Sequence, residues 1–323
     1  MMKTVAQTIG TVTALSRASS HLLIAHPSPS PPNMKIFVDG SSGATGVVLT
    51  DMLNERPYEI ITIPDVRDKD ARYAAINAAD VAVLCLPDDV VFETYNDNHN
   101  TDTILIDASS FSRQNPDWVY GYYYDVWTGV ADVAHSRRIS NPGCFATGIQ
   151  TLLHPIQPWL THYPIVIDGI SGYTAGGKQA VERYQSNPCP YKATNINRQH
   201  THVGEVRMRS SLVNDLIFMP AVGAFAEGQL GSIPLSRHQL TMPLDCVYLS
   251  IANYYNSNPV VDVWPAPPKS ITPDSMMLPG RIQVAVAEFA DYVILHAWYS
   301  NLDIGAAGSV VRIIDAISEH RKD

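Results

Sequence analysis

The chain has 323 residues, a formal net charge of -9, and 46% hydrophobic against 16% charged residues. That length is about twice the roughly 150 residues of one domain, so two domains are expected, and so apolar a composition excludes a disordered chain. The acidic balance argues against nucleic acid and anionic membranes as partners and leaves a small anionic substrate in a local basic pocket.

Residues 1–33 contain no Asp or Glu and close on the proline-rich run His26 to Asn33. They read as a disordered leader ahead of a start at Met34, with a transit segment as the alternative. No apolar run reaches the roughly 18 residues that span a bilayer. From Met34 onward short β-branched runs alternate with helical stretches. Strands are predicted at Ile36–Val38, Ile60–Ile63, Val81–Leu86, Thr103–Asp107 and Arg138–Ser140, and helices near Ala44–Leu53, Ala71–Ala79 and Asp89–Asn96. Near-continuous apolar strands separated by helices mark a parallel sheet covered on both faces, a doubly wound, Rossmann-like α/β domain. After about residue 155 longer strands are predicted at Ile165–Ile170, Leu216–Met219, Cys246–Tyr254, Arg281–Phe289 and Tyr292–Tyr299, which suit antiparallel pairing in an α+β domain. Gly305 to Arg321 carries a broad apolar stripe and should be a packed helix returning to the first domain. The expected division is 34–143 plus 301–323 for dinucleotide binding and 144–300 for catalysis and dimerisation.

The first strand runs into Asp39-Gly40-Ser41-Ser42-Gly43-Ala44-Thr45-Gly46 and then a helix. Gly40 and Gly43 permit a tight turn and close approach to a pyrophosphate, Gly46 permits close helix packing, and the helix start offers free N–H groups. Downstream, Asp65 sits near the position of an acid that binds a ribose hydroxyl, but Arg67 follows and suits a 2′-phosphate, so cofactor choice stays open at this level.

Cys85, Cys144, Cys189 and Cys246 lie far apart without a CxxC pair, which fits neither a zinc cage nor a disulfide framework and points to a reducing, cytoplasmic setting. Cys144 follows Asn141-Pro142-Gly143 at the start of a helical run, where the macrodipole and nearby amides should lower the thiol pKa. Cys85 and Cys246 read as buried packing residues, and Cys189, between two prolines, as a loop residue. The base for such a nucleophile is sought in His200-Thr201-His202-Val203-Gly204-Glu205-Val206-Arg207. No HExxH or acid cluster supports a metal there.

Taken together, Gly40 to Gly46, Asp107-Ala-Ser-Ser-Phe-Ser-Arg113, Asn141-Pro-Gly-Cys144, Ser171-Gly-Tyr-Thr-Ala-Gly-Gly-Lys178, His200-Thr-His202 with Glu205, and Asn301-Leu-Asp-Ile-Gly-Ala-Ala-Gly308 resemble the N-acetyl-gamma-glutamyl-phosphate reductases, in their second, compact form. The resemblance spans Met34 to Ile317. It implies NADP as cofactor, an acyl-phosphate substrate and a homo-oligomer, dimer or tetramer. It also implies Cys144 as nucleophile and His202 as acid or base. Ser109 and Arg113 are substrate-binding candidates, with Arg207 and Lys178 weaker. Gly40, Ser42, Gly43, Ala44, Thr45, Gly46, Arg67 and Gly176 are its cofactor-binding candidates. Ile304 replaces the family's usual lysine and Gly204 its usual proline, which leaves the fine substrate contacts open.

The related aspartate-semialdehyde dehydrogenases place the nucleophile directly after an asparagine, whereas Gly143 intervenes here. A lysine-biosynthetic relative acting on carrier-bound aminoadipyl phosphate would want a basic rim, against which the net charge of -9 argues. A short-chain reductase would need Tyr-x-x-x-Lys, which the Tyr-rich stretch Gly121 to Tyr124 lacks. A non-catalytic dinucleotide sensor would have no reason to pair Cys144 with His202.

Overall fold

The computed structural model describes residues 34–97, 102–122 and 130–321. The expected leader, residues 1–33, and Tyr123 and Tyr124 of the Tyr-rich stretch lie outside them. The first half alternates β1 (Lys35–Asp39), α1 (Ala44–Asn54), β2 (Glu59–Ile61), α2 (Lys69–Ala78), β3 (Val81–Leu84), α3 (Asp88–Asp97), β4 (Ile104–Asp107), β5 (Val119–Tyr120), α4 (Val130–His135) and β6 (Arg138–Ser140). The six strands form one sheet in the order β2-β1-β3-β4-β6-β5, and every pairing is parallel.

Strand residues of alternate parity divide between the two faces of this sheet, as the pleat requires. Ile36, Val38, Val81, Val83, Ile104 and Ile106 pack on one side with Leu49 and Leu53 of α1. Phe37, Ala82, Leu84 and Leu105 pack on the other with Ala75 and Ile76 of α2 and Val91 of α3. Both faces are therefore covered, the reason these strands read as continuous apolar runs.

The second half contains α5 (Cys144–Leu153), β7 (Ile165–Ser171), α6 (Gly177–Ser186), β8 (Tyr191–Ala193), α7 (Thr201–Arg209), β9 (Leu216–Gly223), β10 (Gln229–Ser236), α8 (Val247–Tyr254), β11 (Val261–Val263), β12 (Ile282–Glu288), β13 (Tyr292–Tyr299) and α9 (Gly308–His320). Its seven strands run β11-β12-β13-β10-β7-β9-β8. The sheet is mixed: β7 pairs parallel with β9 and β11 with β12, while the remaining pairings are antiparallel. Residues of α5, α7 and α8 share one apolar core with one face of this sheet.

One element differs from expectation. Cys246–Tyr254 is not a strand: Leu244–Cys246 forms a 3-10 turn and Val247–Tyr254 is α8. The segment is rich in β-branched and aromatic residues, but the residues it buries are Val247, Ile251 and Tyr255, four apart. That is a helical period, and packing one stripe on the core overrides the strand propensity. The C-terminal segment behaves as predicted. A π-turn at Asp303–Ala307 leads into α9, whose Val310, Val311, Ile313, Ile314 and Ile317 join the core of the first sheet. Among the described residues no helix is long and apolar enough to cross a membrane.

Candidate active site

A cleft of about 380 Å³ opens where the two sheets meet, and Cys144 stands in its wall. β6 ends at Ser140, Asn141-Pro142 turns the chain, and Gly143 caps α5 in extended backbone geometry without a side-chain cap. Cys144 is thus the first residue of α5, beneath amides left free for a ligand. Gly143 is required by its surroundings: a Cβ there would run into Nε2 of His202 and come within 2.8 Å of Nη1 of Arg113. On the other flank Gly305 of the π-turn presses on Cys144, since a Cβ there would lie 2.7 Å from that of Cys144. A π-turn at such a point is a common functional device.

His202 lies in the first turn of α7 and is 6% exposed. His200 caps that helix by accepting the His202 N–H at 3.2 Å. Nη1 of Arg113 stands 3.4 Å from Nε2 of His202, and because guanidinium only donates, the network assigns the lone pair to Nε2 and the proton to Nδ1. Burial first, then Arg113 and His200, holds the imidazole pKa well below its ordinary value, so His202 is neutral at physiological pH. For Cys144 the outcome opposes the sequence expectation. Burial pushes the thiol up to about 11, and Arg113 with the amides of Phe145 and Cys144 offsets only part of that rise. Desolvation of the anion outweighs the helix terminus here.

Arg113 reaches the cleft because of the turn before it. Asp107, fully buried at the end of β4, accepts Ser109 N at 2.8 Å, Ser112 N at 3.0 Å and Ser112 Oγ at 2.5 Å, which folds the segment back on itself. Arg113 then spends Nε on Asn141 O at 2.9 Å and Nη2 on Ala108 O at 3.1 Å. Ser109 itself forms this turn, its Oγ accepting Phe111 N at 3.1 Å, and is not among the residues lining the cleft. Arg207 is also absent from the lining; its guanidinium, 43% exposed, pairs with Asp215 at 3.5 Å. Lys178 is exposed in α6. Ile304 is buried in the core of the second half, so its neighbours Gly305 and Ala306 face the cleft instead. Gly204 gives way to Gln114, whose Oε1 lies 2.5 Å from where a Cβ would stand.

Three helices start at this cleft. α1, α5 and α6 are capped by Gly43, Gly143 and Gly176, none with a side-chain cap, and Thr45, Cys144 and Gly177 all line the cavity. Converging helix N-termini with free amides suit anionic groups. Gly40 has φ +90, where only glycine is unstrained, and a Cβ on Gly46 would collide with Gly40 O, so the turn is as tight as its spacing implied. Beyond it a second cavity, about 190 Å³, is lined by Gly40, Ser41, Thr50, Ile60 to Ile63 and Val66. Arg67 is exposed beside it, and Asp65 folds onto the Arg67 N–H at 2.9 Å. Asp39, at the end of β1, is neutralised by Arg72 at 2.8 Å.

Sequence reasoning missed several residues. Asn141 is 1% exposed, donates to Ala306 O at 3.2 Å, and leaves Oδ1 unpartnered in the cleft wall among the described residues. Asn301 joins the cleft through Thr174 Oγ1 at 3.0 Å and Gly228 N at 2.8 Å. Tyr299 donates to Cys144 O at 2.5 Å and is itself held by Gln229. Only Asn141 and Asn301 carried a signal, as polar residues flanking glycines in the recognised motifs. No group of His, Cys, Asp or Glu among the described residues is arranged to hold a metal.

Residues 144–301 match the family model described as semialdehyde dehydrogenase, dimerisation domain. The chain is 35% identical over 298 residues to an N-acetyl-gamma-glutamyl-phosphate reductase of Burkholderia ambifaria, covering 87% of this chain and 95% of that protein. It is 34% identical over 299 residues to N-acetyl-gamma-glutamyl-phosphate reductase 2 of Pseudomonas putida, covering 87% and 95%. Among solved structures it resembles aspartate semialdehyde dehydrogenase II of Vibrio cholerae, with TM-score 0.72, 12% identity and coverage of 90% and 99%. It also resembles aspartate semialdehyde dehydrogenase with NADP from Candida albicans, with TM-score 0.65, 13% identity and coverage of 90% and 100%. The solved structures establish the shared fold, and the sequence relatives settle the branch: this chain belongs to the N-acetyl-gamma-glutamyl-phosphate reductase family.

Proposed function

We propose that the protein reduces N-acetyl-gamma-glutamyl phosphate to N-acetyl-glutamate 5-semialdehyde with release of phosphate, using NADPH, as a step of arginine biosynthesis. The observation that carries this reading is Cys144 at the head of α5, with His202 and Arg113 beside it, in the same cleft as Thr45 of the glycine turn. The three uncapped helix starts and the tight turn at Gly40 and Gly46 fit a dinucleotide, with Ser42, Gly43, Ala44, Thr45 and Gly176 along its phosphates and Arg67 near the end of β2 for a 2′-phosphate. Bound there, NADPH supplies hydride.

The chain's own residues do the rest. His202 Nε2 takes the thiol proton as Sγ of Cys144 attacks the acyl carbon, the C–O bond to phosphate breaks, and a thioester remains on Cys144. The amides at the start of α5 hold the oxyanion, and Arg113 draws in the anionic substrate. Once the thioester carbon has been reduced, the C–S bond breaks to free the aldehyde, and His202 returns its proton to Sγ. A thiol that rests protonated makes this base indispensable, since little thiolate preexists at pH 7.

On this reading residues 34–143 with 301–323 bind the dinucleotide and 144–300 carry catalysis and self-association, a division supported by the family match that begins at Cys144. The sheet face opposite α5, α7 and α8 bears the exposed Ile217 and Met219, a surface suited to a second copy of the chain in a cytoplasmic homo-oligomer. The test of function is phosphate-dependent reduction of NADP by N-acetylglutamate semialdehyde with the purified protein. Turnover with aspartate semialdehyde in its place would overturn the substrate assignment.

A further inference from the structure

Glu205 is 1% exposed and stands behind the cleft, its carboxylate against Gly143, Tyr120 and Arg113, without being among the residues that line it. Oε1 accepts the N–H of Gly143, the residue before the nucleophile, at 2.8 Å and the Tyr120 hydroxyl at 2.7 Å. Oε2 accepts no hydrogen bond among the described residues and lies 3.8 Å from Nη1 of Arg113, the nitrogen that also faces Nε2 of His202. Tyr120 is steadied by Gln150 Nε2 at 2.8 Å and by the Arg209 guanidinium over its ring. The charged and titratable groups facing the carboxylate are thus Arg113 after β4, Tyr120 of β5, Cys144 of α5 and Arg209 of α7, with His202 reached through Nη1 of Arg113. The network continues from Gln150 to Ser210 and His154, but an amide does not pass on a proton, so it is a scaffold and not a wire.

Resting on the reaction proposed above, we propose that Glu205 is a positioning residue that supplies the counter-charge allowing His202 to hold a proton during turnover, with Tyr120 as its orienting partner. An imidazolium formed beside the fixed Arg113 guanidinium is repelled by it, and the carboxylate on the far side of that guanidinium offsets the repulsion. Through Gly143 the same carboxylate fixes the backbone of the nucleophile relative to α7. Burial pushes the Glu205 carboxyl above its ordinary value, a rise that Arg113, the Gly143 amide and Tyr120 offset in part; in its ionised form it disfavours the Cys144 thiolate.

The test separates charge from packing. Glu205→Gln keeps the shape and an oxygen for Gly143 and Tyr120 but removes the charge. Its kcat is expected to fall at least about tenfold with KM within about threefold. In the same variant Cys144 alkylation by iodoacetamide, read by mass spectrometry on its own peptide, should titrate at lower pH, by about half a unit or more. Loosened packing would also expose the thiol and lower its titration, but the same exposure would raise the His202 acid limb of kcat/KM, whereas loss of the counter-charge should lower that limb. Tyr120→Phe should lower kcat by less, because the carboxylate loses the donor that orients it, and the double variant should add little to Glu205→Gln. A Cys144 titration unmoved or raised in Glu205→Gln, or turnover within threefold of the parent, would overturn the proposal. If Glu205→Gln does not fold, Tyr120→Phe decides alone, an unchanged kcat counting against the proposal. Alkylation needs no substrate, so failure of the parent to reduce the acyl phosphate would sink the reaction and leave this result standing.

Discussion

The imidazole of His202 occupies the space that a side chain on Gly143 would need, with Nη1 of Arg113 closing the same gap at 2.8 Å from that position. Gly143→Ala should therefore push both groups off the nucleophile. A displacement of about 1 Å in a positioned base costs on the order of 100-fold in rate. Steady-state kinetics should show that loss while far-ultraviolet circular dichroism stays native; activity within fivefold of the parent would mean that His202 does not work at this distance.

The Cys144 thiol, held up to about 11 by burial, should rest as a neutral thiol at pH 7. Its alkylation rate is expected to rise about tenfold per pH unit from pH 7 to 10, following the thiolate fraction, and to lag far behind the exposed Cys189. The sign for stability follows. Above the ordinary thiol pKa of about 8.5 the unfolded chain releases a proton that folded Cys144 and Cys85 retain, so stability is full below that pH and falls as pH rises toward the folded values. Cys144→Ser should abolish turnover and leave NADPH binding unchanged, because a serine hydroxyl ionises even less readily. A flat alkylation profile from pH 7 to 10 would contradict the buried neutral thiol.

His202→Asn should lower kcat by about 10²- to 10⁴-fold, the contribution of a positioned proton-transfer group. His200→Asn should be much milder, since its visible bond is the helix cap to His202 N. With the His202 pKa held below its ordinary value, chiefly by burial, the acid limb of the parent's kcat/KM profile should lie below about pH 6.5. That limb should vanish in His202→Asn. Rates from pH 5 to 9 decide it: a crippled His200→Asn beside a near-normal His202→Asn would exchange the two roles.

β1, β3 and β4 were legible because each is buried and covered on both faces, and a continuous apolar run has one simple reading, whereas the short β5 and α4 carried no such run. α8 was not legible, because Val247, Tyr248 and Ile251 favour strands locally and only the core decides that they form a helical stripe. Cys144, His202 and Arg113 could be picked out because glycines and short motifs frame them. Tyr120, Gln150 and Tyr299 lie in ordinary-looking strand and helix sequence and acquire meaning only through distant partners, such as the Tyr299 hydroxyl on Cys144 O. The thiol pKa was misjudged for the same reason: a helix start is visible in sequence, and burial is not.

On the open face of the second sheet Ile217 and Met219 are 49% and 50% exposed, although both lie within the eight-residue strand β9. If a second copy covers them, Ile217→Glu should split the oligomer by placing an unpaired charge in a buried interface. Sedimentation velocity at micromolar concentration should then show a smaller species; an unchanged coefficient would place self-association on another surface.

Arg113 was the expected reader of the substrate's charge and Arg207 the weaker candidate, and the structure gives them different surroundings. Arg113 has two of its donors committed to Asn141 O and Ala108 O, which aims the third toward His202 and the cleft. Lysine cannot reproduce that fork, so Arg113→Lys should leave both carbonyls short of a donor and lower kcat/KM by about 100-fold or more. Arg207 holds a surface ion pair with Asp215, of the kind worth about 0–1 kcal/mol. Arg207→Ala should accordingly leave kcat and KM within about twofold and the melting temperature nearly unchanged. The two variants, assayed with the acyl phosphate at saturating NADPH, discriminate cleanly: a tenfold rise in KM for Arg207→Ala alone would mean that the substrate's carboxylate is read from the outer face of α7.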